Sequence, residues 1–266
     1  MKSLITIAYN NLDKSIETKN ILVEKLHKVG FEISEKLNEN TELIISIGGD
    51  GSFLKTIHKF NFPQVPVIAI NTGHLGFFAE IHPHQIDDFI QAYINKEYFI
   101  QHLNTLEAEI LTKERCMKIS AVNEIVIKNI QSRTVHLDLQ VDGMKIEHFS
   151  GDGMLISTPI GSTAYNYSAG GSIVDPKLDL FQLTPIAPMN TNAYRSFTSS
   201  IILPTTSVIS ISPEFHFEDS ILIVVDGKQY KHTKIKKVKI YKSKYKLKLL
   251  RLNGYEFWNR VSEKFL

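Results

Sequence analysis

Apolar positions in the first hundred residues follow two alternating periods. Leu4 to Ala8 is a short run of strand type, and residues 12 to 29 carry Ile16, Ile21, Leu22, Leu26 and Val29 at helical spacing until Gly30 stops them. Leu43 to Ile47 reads as a buried strand that runs straight into Gly48-Gly49-Asp50-Gly51-Ser52. Phe53, Leu54, Ile57 and Phe60 then mark a helix and Val67 to Ile70 the next strand. Residues 83 to 95 predict a further helix with Ile86, Phe89, Ile90 and Tyr93 on one face. Such alternation predicts a parallel sheet. Near residue 99 the period falls to two, through Glu107 to Leu111, Ser120 to Ile127, Val135 to Val141, and from Ile201 through Ile240. Asp142-Gly143 and Asp226-Gly227 predict two-residue hairpins between alternating runs. The expected fold is an α/β N-terminal domain with a parallel sheet (1–98), a β-rich C-terminal domain (99–250) and a tail (251–266) packing back on the first domain. No Pro/Ser-rich linker separates the halves.

Composition narrows the class without naming a partner. The chain has 266 residues, 43% hydrophobic and 22% charged, too apolar and too weakly charged for disorder. Its apolar runs, such as Ile221 to Val225, fall far short of the roughly 18 to 20 residues of a spanning helix. Met1-Lys2-Ser3-Leu4-Ile5 turns polar by Asn10, which does not read as a signal peptide. Cys116 is the single cysteine, which excludes an internal disulfide framework and a Cys-based zinc site. A cytoplasmic protein that engages no membrane is therefore expected. A net charge of +2 points to no polyanion.

The candidate chemistry begins at Gly48-Gly49-Asp50-Gly51-Ser52. Glycines between a buried strand and a helix leave peptide N–H groups unshielded, and the helix adds its positive end, so phosphate can approach. A carboxylate in such a loop is costly beside anionic ligands unless it holds a metal or takes a proton. Asp50 is therefore a candidate general base for a hydroxyl attacking a phosphoryl group. The plainer alternative is a glycine-rich turn with a solvated aspartate. Asn123-Glu124 places an amide and a carboxylate inside an apolar strand, where one of them faces inward and needs a partner or a ligand. Gly151-Asp152-Gly153 and the run from Ser157 to Gly171 are so rich in small and hydroxyl residues that they suit a polar ligand cradle.

Gly-Gly-Asp-Gly-Ser resembles the signature shared by NAD kinases, diacylglycerol and sphingosine-type lipid kinases, and phosphofructokinases. Asn123-Glu124, Ser157-Thr158-Pro159-Ile160-Gly161-Ser162-Thr163-Ala164-Tyr165 and Asn71-Thr72-Gly73-His74-Leu75-Gly76-Phe77 together resemble the NAD kinase family along most of the chain. That resemblance implies that Asp50 accepts the proton of the adenosine-ribose 2′-hydroxyl of NAD, with Gly49 and Gly51 at the ligand. It implies that Asn123 and Glu124 hold adenine and ribose, and that Asp152 lies on the nicotinamide side. Phe77, Ser150, Ser162, Thr163, Ala164, Tyr165, Asn166, Ser168, Ala187 and Tyr194 are the further nucleotide contacts it implies. It also implies ATP as phosphoryl donor, a divalent cation such as Mg²⁺ with ligands left open, and a homo-oligomer, dimer or tetramer, whose NAD sites are shared between subunits. Polyphosphate stays open as a second donor. Three positions depart from the family pattern: Ser52 stands for Thr, Ile160 for a hydroxyl residue, and Ser150 for a basic one. Rival readings are a lipid or sugar kinase with the same glycine motif, and a non-catalytic nucleotide sensor.

Residues 228 to 251 hold eleven Lys or Arg and no acid, alternating with apolar residues. One wet face of an antiparallel sheet produces that pattern, and no nucleic-acid partner is expected. His82-Pro83-His84 lacks further clustered ligands and reads as a surface turn.

Overall fold

A computed structural model describes residues 3–131, 133–191, 195–214, 221–231 and 234–266. The chain packs as two units, residues up to 103 together with 245–266, and residues 104–244. The first unit runs β1 (Leu4–Tyr9), α1 (Asp13–Lys28), β2 (Glu32–Ser34), β3 (Thr41–Ile47), α2 (Asp50–Lys59), β4 (Val67–Ile70), β5 (Ala79–Ile81) and α3 (Ile86–Ile94). β2, β1, β3, β4 and β5 pair in that order, all parallel. Central parallel strands carry continuous Val/Ile runs because both faces are covered. Accordingly, all of β4 and every residue of β3 except Glu42 are buried.

Helix α1 turns differently from the apolar count. Its buried residues are Ser15, Thr18, Leu22 and Leu26, whereas Ile16, Ile21 and Val29 are exposed. The polar pair enters the interface because Ser15 and Thr72 join hydroxyls at 2.7 Å, and Thr18 bonds back to the Lys14 carbonyl. Strands β2 and β5, with three residues each, are too short to show a period.

The second unit comprises β6 (Tyr98–Thr112, which begins in the first unit), β7 (Cys116–Ala121), β8 (Glu124–Asn129), β9 (Val135–Val141), β10 (Met144–Gly151), β11 (Gly153–Ser157) and the short helix α4 (Tyr165–Ser168). It continues with β12 (Leu180–Ile186), β13 (Ile201–Pro204), β14 (Ile209–Pro213), β15 (Ile221–Val225), β16 (Lys228–Lys231) and β17 (Ile235–Leu252, which ends in the first unit). Here β6–β7, β9–β10, β9–β14, β14–β17 and the β13-β12-β11-β8-β15-β16 ladder run antiparallel. One sheet orders β13-β12-β11-β8-β15-β16, and β10-β9-β14-β17 faces it, with β6 and β7 continuing beside β17. Leu106, Leu137, Phe149, Ile156, Phe181, Ile211, Ile223 and Val238 fill the core between them. Both expected hairpins form, with φ of 51° and 81° at Asp142-Gly143 and 47° and 80° at Asp226-Gly227. The run Ser120 to Ile127 is not one strand: it breaks at Val122-Asn123, where Asp226 draws the backbone amides out of the ladder.

Back in the first unit, the end of β17 lies parallel to β4 at Leu249 and leads into α5 (Phe257–Phe265). Among the described residues no helix is long and apolar enough to cross a membrane.

Candidate active site

The glycine loop joins β3 to α2. Gly48 alone of its three glycines needs a left-handed backbone, at φ 147°, and a Cβ there would strike Ser52. Gly49 caps the helix, and open space surrounds the Cβ positions of Gly49 and Gly51, so bare backbone is exposed at the helix start, the kind of end that suits an anion. Beside the loop, Asn10 donates to Ser52 Oγ at 2.9 Å. A cavity of about 290 Å³ is lined there by Asn10, Asn11, Ser52, Thr56, Lys55 and Lys59. A larger cavity of about 350 Å³, between α3, β5 and α5, contains none of the expected site residues.

Asp50 is the first residue of α2, and backbone amides fix its carboxylate. Phe77 N–H donates to Oδ2 at 2.8 Å, while Phe78 and Ala79 donate to Oδ1 at 3.0 and 3.4 Å. An ionised carboxylate has about four acceptor sites, so these bonds leave one, on Oδ2. Gly76 is obligatory for this approach, because a Cβ there would overlap the carboxylate. The Phe77 side chain is buried against Phe257 and Phe265 of α5, with ring centroids 5.9 Å from each.

Behind the same peptides lies Arg251, which is fully buried. Its Nη2 donates to the Phe77 carbonyl at 2.9 Å and its Nη1 to the Phe78 carbonyl at 3.4 Å. Those carbonyls belong to the peptide units whose N–H groups, at Phe78 and Ala79, reach Asp50. Each peptide is thus polarised between a guanidinium and a carboxylate, an arrangement that strengthens both hydrogen bonds. Glu80 pairs with Arg251 Nη1 at 2.9 Å. The sequence groups Arg251 with a solvated basic face, and its burial corrects that placement.

In the second unit, Asn123 lies in the break before β8 and Glu124 is the first residue of β8. Asp226, at the β15–β16 turn, accepts N–H bonds from Val122, Asn123 and Glu124 at 2.8, 2.8 and 3.3 Å. From the other side, Thr158 Oγ1 donates to the Val122 carbonyl at 2.7 Å, and a Cβ on Gly161 would overlap the Asn123 backbone. The amide–carboxylate pair and the Ser157-to-Thr163 run are therefore one structure. Asn123 and Glu124 are buried, yet Asn123 Oδ1 and Glu124 Oε2 have no hydrogen-bond partner among the described residues. Buried polar atoms left this way are costly, and a ligand would relieve the cost.

Burial, and secondarily the charge of Asp226, push the Glu124 carboxyl up to about 8. A carboxyl raised above its unfolded value of 4.5 stabilises most at acid pH and loses that contribution as pH climbs toward 8. Unfolding free energy should therefore fall by on the order of 3 kcal/mol between about pH 5 and 8, and Glu124→Gln should flatten that fall. Equal slopes in denaturant titrations of the two proteins would contradict this environment for Glu124.

Ser162, Thr163 and Asn166 are buried and already bonded within the chain. Ser162 Oγ accepts from Val174 N–H at 2.9 Å, Thr163 Oγ1 donates to the Ile160 carbonyl at 3.3 Å, and Asn166 Oδ1 accepts from Thr184 at 2.6 Å. Their side chains hold the loop itself together, while Tyr165 and Ser168 are exposed and Ala164 half-buried. Ser150, Asp152 and Ala187 form a third group. Ser150 is buried with its Oγ 2.8 Å from His136 Nδ1, Asp152 is exposed, and Ala187 is exposed at φ 44°. Asp152 N–H bonds the Ile186 carbonyl, which ties β10–β11 to the end of β12. Tyr194 lies outside the described residues.

The sequence profile of the ATP-NAD kinase N-terminal domain matches residues 4–98, and that of the ATP-NAD kinase C-terminal domain matches 122–252. The NAD kinase of Finegoldia magna is 40% identical over 268 residues, covering 99% of this chain and 98% of its own. That of Staphylococcus epidermidis is 32% identical over 264 residues, covering 97% of each chain. Yeast NADH kinase in complex with NADH superposes with a TM-score of 0.85 at 23% identity, over 99% of this chain and 87% of that one. The NAD kinase of Archaeoglobus fulgidus in complex with ATP superposes at 0.78 and 23% identity, over 98% of each. Matched by both domain profiles and by close relatives over nearly its whole length, the chain belongs to the ATP-NAD kinase family.

Proposed function

We propose that this NAD kinase transfers the γ-phosphoryl group of ATP to the 2′-hydroxyl of the adenosine ribose of NAD, with Asp50 as the base. The observation that carries the mechanism is the single acceptor site left on Asp50 Oδ2 by the amides of residues 77–79. A ribose hydroxyl donating there becomes nucleophilic as its proton passes to Oδ2. Its oxygen bonds the γ-phosphorus while the bond to the ADP oxygen breaks.

The bare amides of the glycine loop and Lys55 and Lys59 of the neighbouring cavity suit the triphosphate. A divalent cation fits this cavity as a partner of the nucleotide. The lining offers amide and hydroxyl oxygens of Asn10, Asn11 and Ser52 but no carboxylate, so the phosphates themselves would be its main ligands. When bound, such an ion neutralises charge on the transferring group. Asn123 Oδ1 and Glu124 Oε2 supply unsatisfied acceptors for adenine and ribose, and a protonated Glu124 also donates. Replacing both by Ala should weaken NAD binding by about 2 to 4 kcal/mol in calorimetry and leave the thermal transition in place. A lost transition with unchanged residual affinity would mean that the pair is structural.

Glu124 lies opposite Ser157 at one end of β11 and Asp152 just beyond Gly153 at the other, roughly 17 Å apart at about 3.3 Å per residue. We assign these ends to NAD sites shared between copies of the chain. Mixed oligomers then offer a sharp test. Glu124→Ala and Asp152→Ala proteins, each impaired, should regain about a quarter of wild-type activity after equimolar subunit exchange, because half the pairs carry one intact composite site. Activity that stays at the mean of the two variants would place both residues in one subunit's site.

A further inference from the structure

Alternation along two neighbouring strands concentrates imidazoles on one face of the second unit. Val135, Leu137, Leu139 and Phe149 point into the core. The residues between them, His136 and Asp138 on β9 and His148 and Ser150 on β10, therefore share the opposite face, paired in register as His148 with Asp138 and Ser150 with His136. On the other side of β9, the chain leaving β14 donates the Glu214 N–H to the His136 carbonyl at 3.0 Å, which brings a carboxylate alongside.

One ligand atom each from His136, His148 and Glu214 lie within 4.8 Å of one another. Ligands about 2.05 Å from a tetrahedral ion stand about 3.4 Å apart, a difference that side-chain rotation closes. Each imidazole has a polar neighbour at its Nδ1. His136 Nδ1 is 2.8 Å from Ser150 Oγ, and His148 Nδ1 is 3.2 Å from Asp138 Oδ1. A carboxylate beside an imidazole fixes the ring's orientation, as around metal-bound histidines, and Asp138 Oδ1 is shared with Lys145 Nζ at 2.9 Å. The two rings lie nearly parallel, 12° apart with centroids at 6.1 Å.

We propose that His136, His148 and Glu214 bind a divalent transition-metal ion of the zinc class, holding β10, β9 and the end of β14 together. Two imidazoles and one carboxylate suit Zn²⁺ or Co²⁺, whereas Mg²⁺ selects oxygen ligands and stays with the nucleotide phosphates. Three protein ligands leave the ion one position for water. Through Ser150, the site stands one hydrogen bond from the Ser150–Asp152 group, so occupancy would also fix that end of β11.

The test is Co²⁺ titration of the full chain followed by visible absorption, with Zn²⁺ and Mg²⁺ as competitors. We expect one equivalent of Co²⁺ to give d–d bands of a four- or five-coordinate ion, displaced by Zn²⁺ and unmoved by Mg²⁺. His136→Ala and His148→Ala should abolish the bands. Asp138→Asn keeps every ligand and should weaken Co²⁺ binding about 10- to 100-fold, which decides the matter even where a histidine variant folds poorly. A featureless wild-type spectrum, bands that survive in either folded histidine variant, or unchanged affinity in Asp138→Asn would each overturn the site.

Discussion

Asp50→Asn is expected to lower NADP formation by roughly 10² to 10⁴, with NAD affinity kept within several-fold. A carboxamide cannot take the proton at Oδ2, so the 2′-hydroxyl loses its base. The variant is not a pure probe of basicity. Three backbone N–H groups converge on the carboxylate, and in either orientation the new NH₂ faces at least one of them. About 1 to 3 kcal/mol of stability should be lost with that mismatch. Calorimetry of NAD binding and a denaturation curve separate this structural cost from the lost chemistry. Turnover near the wild-type value in a folded variant would remove Asp50 from the base role.

Arg251→Met is expected to cost about 3 to 5 kcal/mol of unfolding free energy, the range for breaking a buried ion pair from one side. Arg251 and Glu80 are almost fully excluded from water, with side-chain exposures of 0% and 7%. The methionine would leave the Glu80 carboxylate short of its partner and the carbonyls of Phe77 and Phe78 without their donors. Because those peptides hold Asp50, turnover should fall in the surviving folded protein more than KM for either substrate rises. Glu80→Gln in the same chain should recover part of the loss, since much of it comes from the orphaned charge. Strictly additive single and double variants in denaturant titrations would show that the two side chains are not coupled.

How much of this was legible depends on the distance over which each signal acts. β3, the glycine loop and α2 are local, and period plus glycine chemistry located them to within a few residues. The resemblance carried by Gly-Gly-Asp-Gly, Asn123-Glu124 and the Ser157-to-Tyr165 run pointed to the family. The supports of the site were hidden because each acts at long range. Asp226 reads as a hairpin residue, yet its carboxylate holds amides 104 residues earlier at Val122 and 103 earlier at Asn123. Arg251 closes a run of lysines and nonetheless reaches Phe77, 174 residues away. Gly76 is a glycine for a steric reason that only the folded position of Asp50 discloses. His136 and His148 come from β9 and β10 and Glu214 from the chain leaving β14, whereas the His82-Pro83-His84 pair, conspicuous in sequence, gathers no third such ligand among the described residues.

The most direct test is a coupled assay in which NAD, ATP and Mg²⁺ are the only substrates and NADP is detected by an NADP-specific dehydrogenase. Diacylglycerol and fructose 6-phosphate are offered in parallel as acceptors. NADP should form in step with ADP, with neither competing acceptor phosphorylated at a comparable rate. ADP release driven by the lipid or the sugar phosphate, with no NADP formed from NAD, would contradict an NAD kinase built around Asp50 and the Asn123–Glu124 corner.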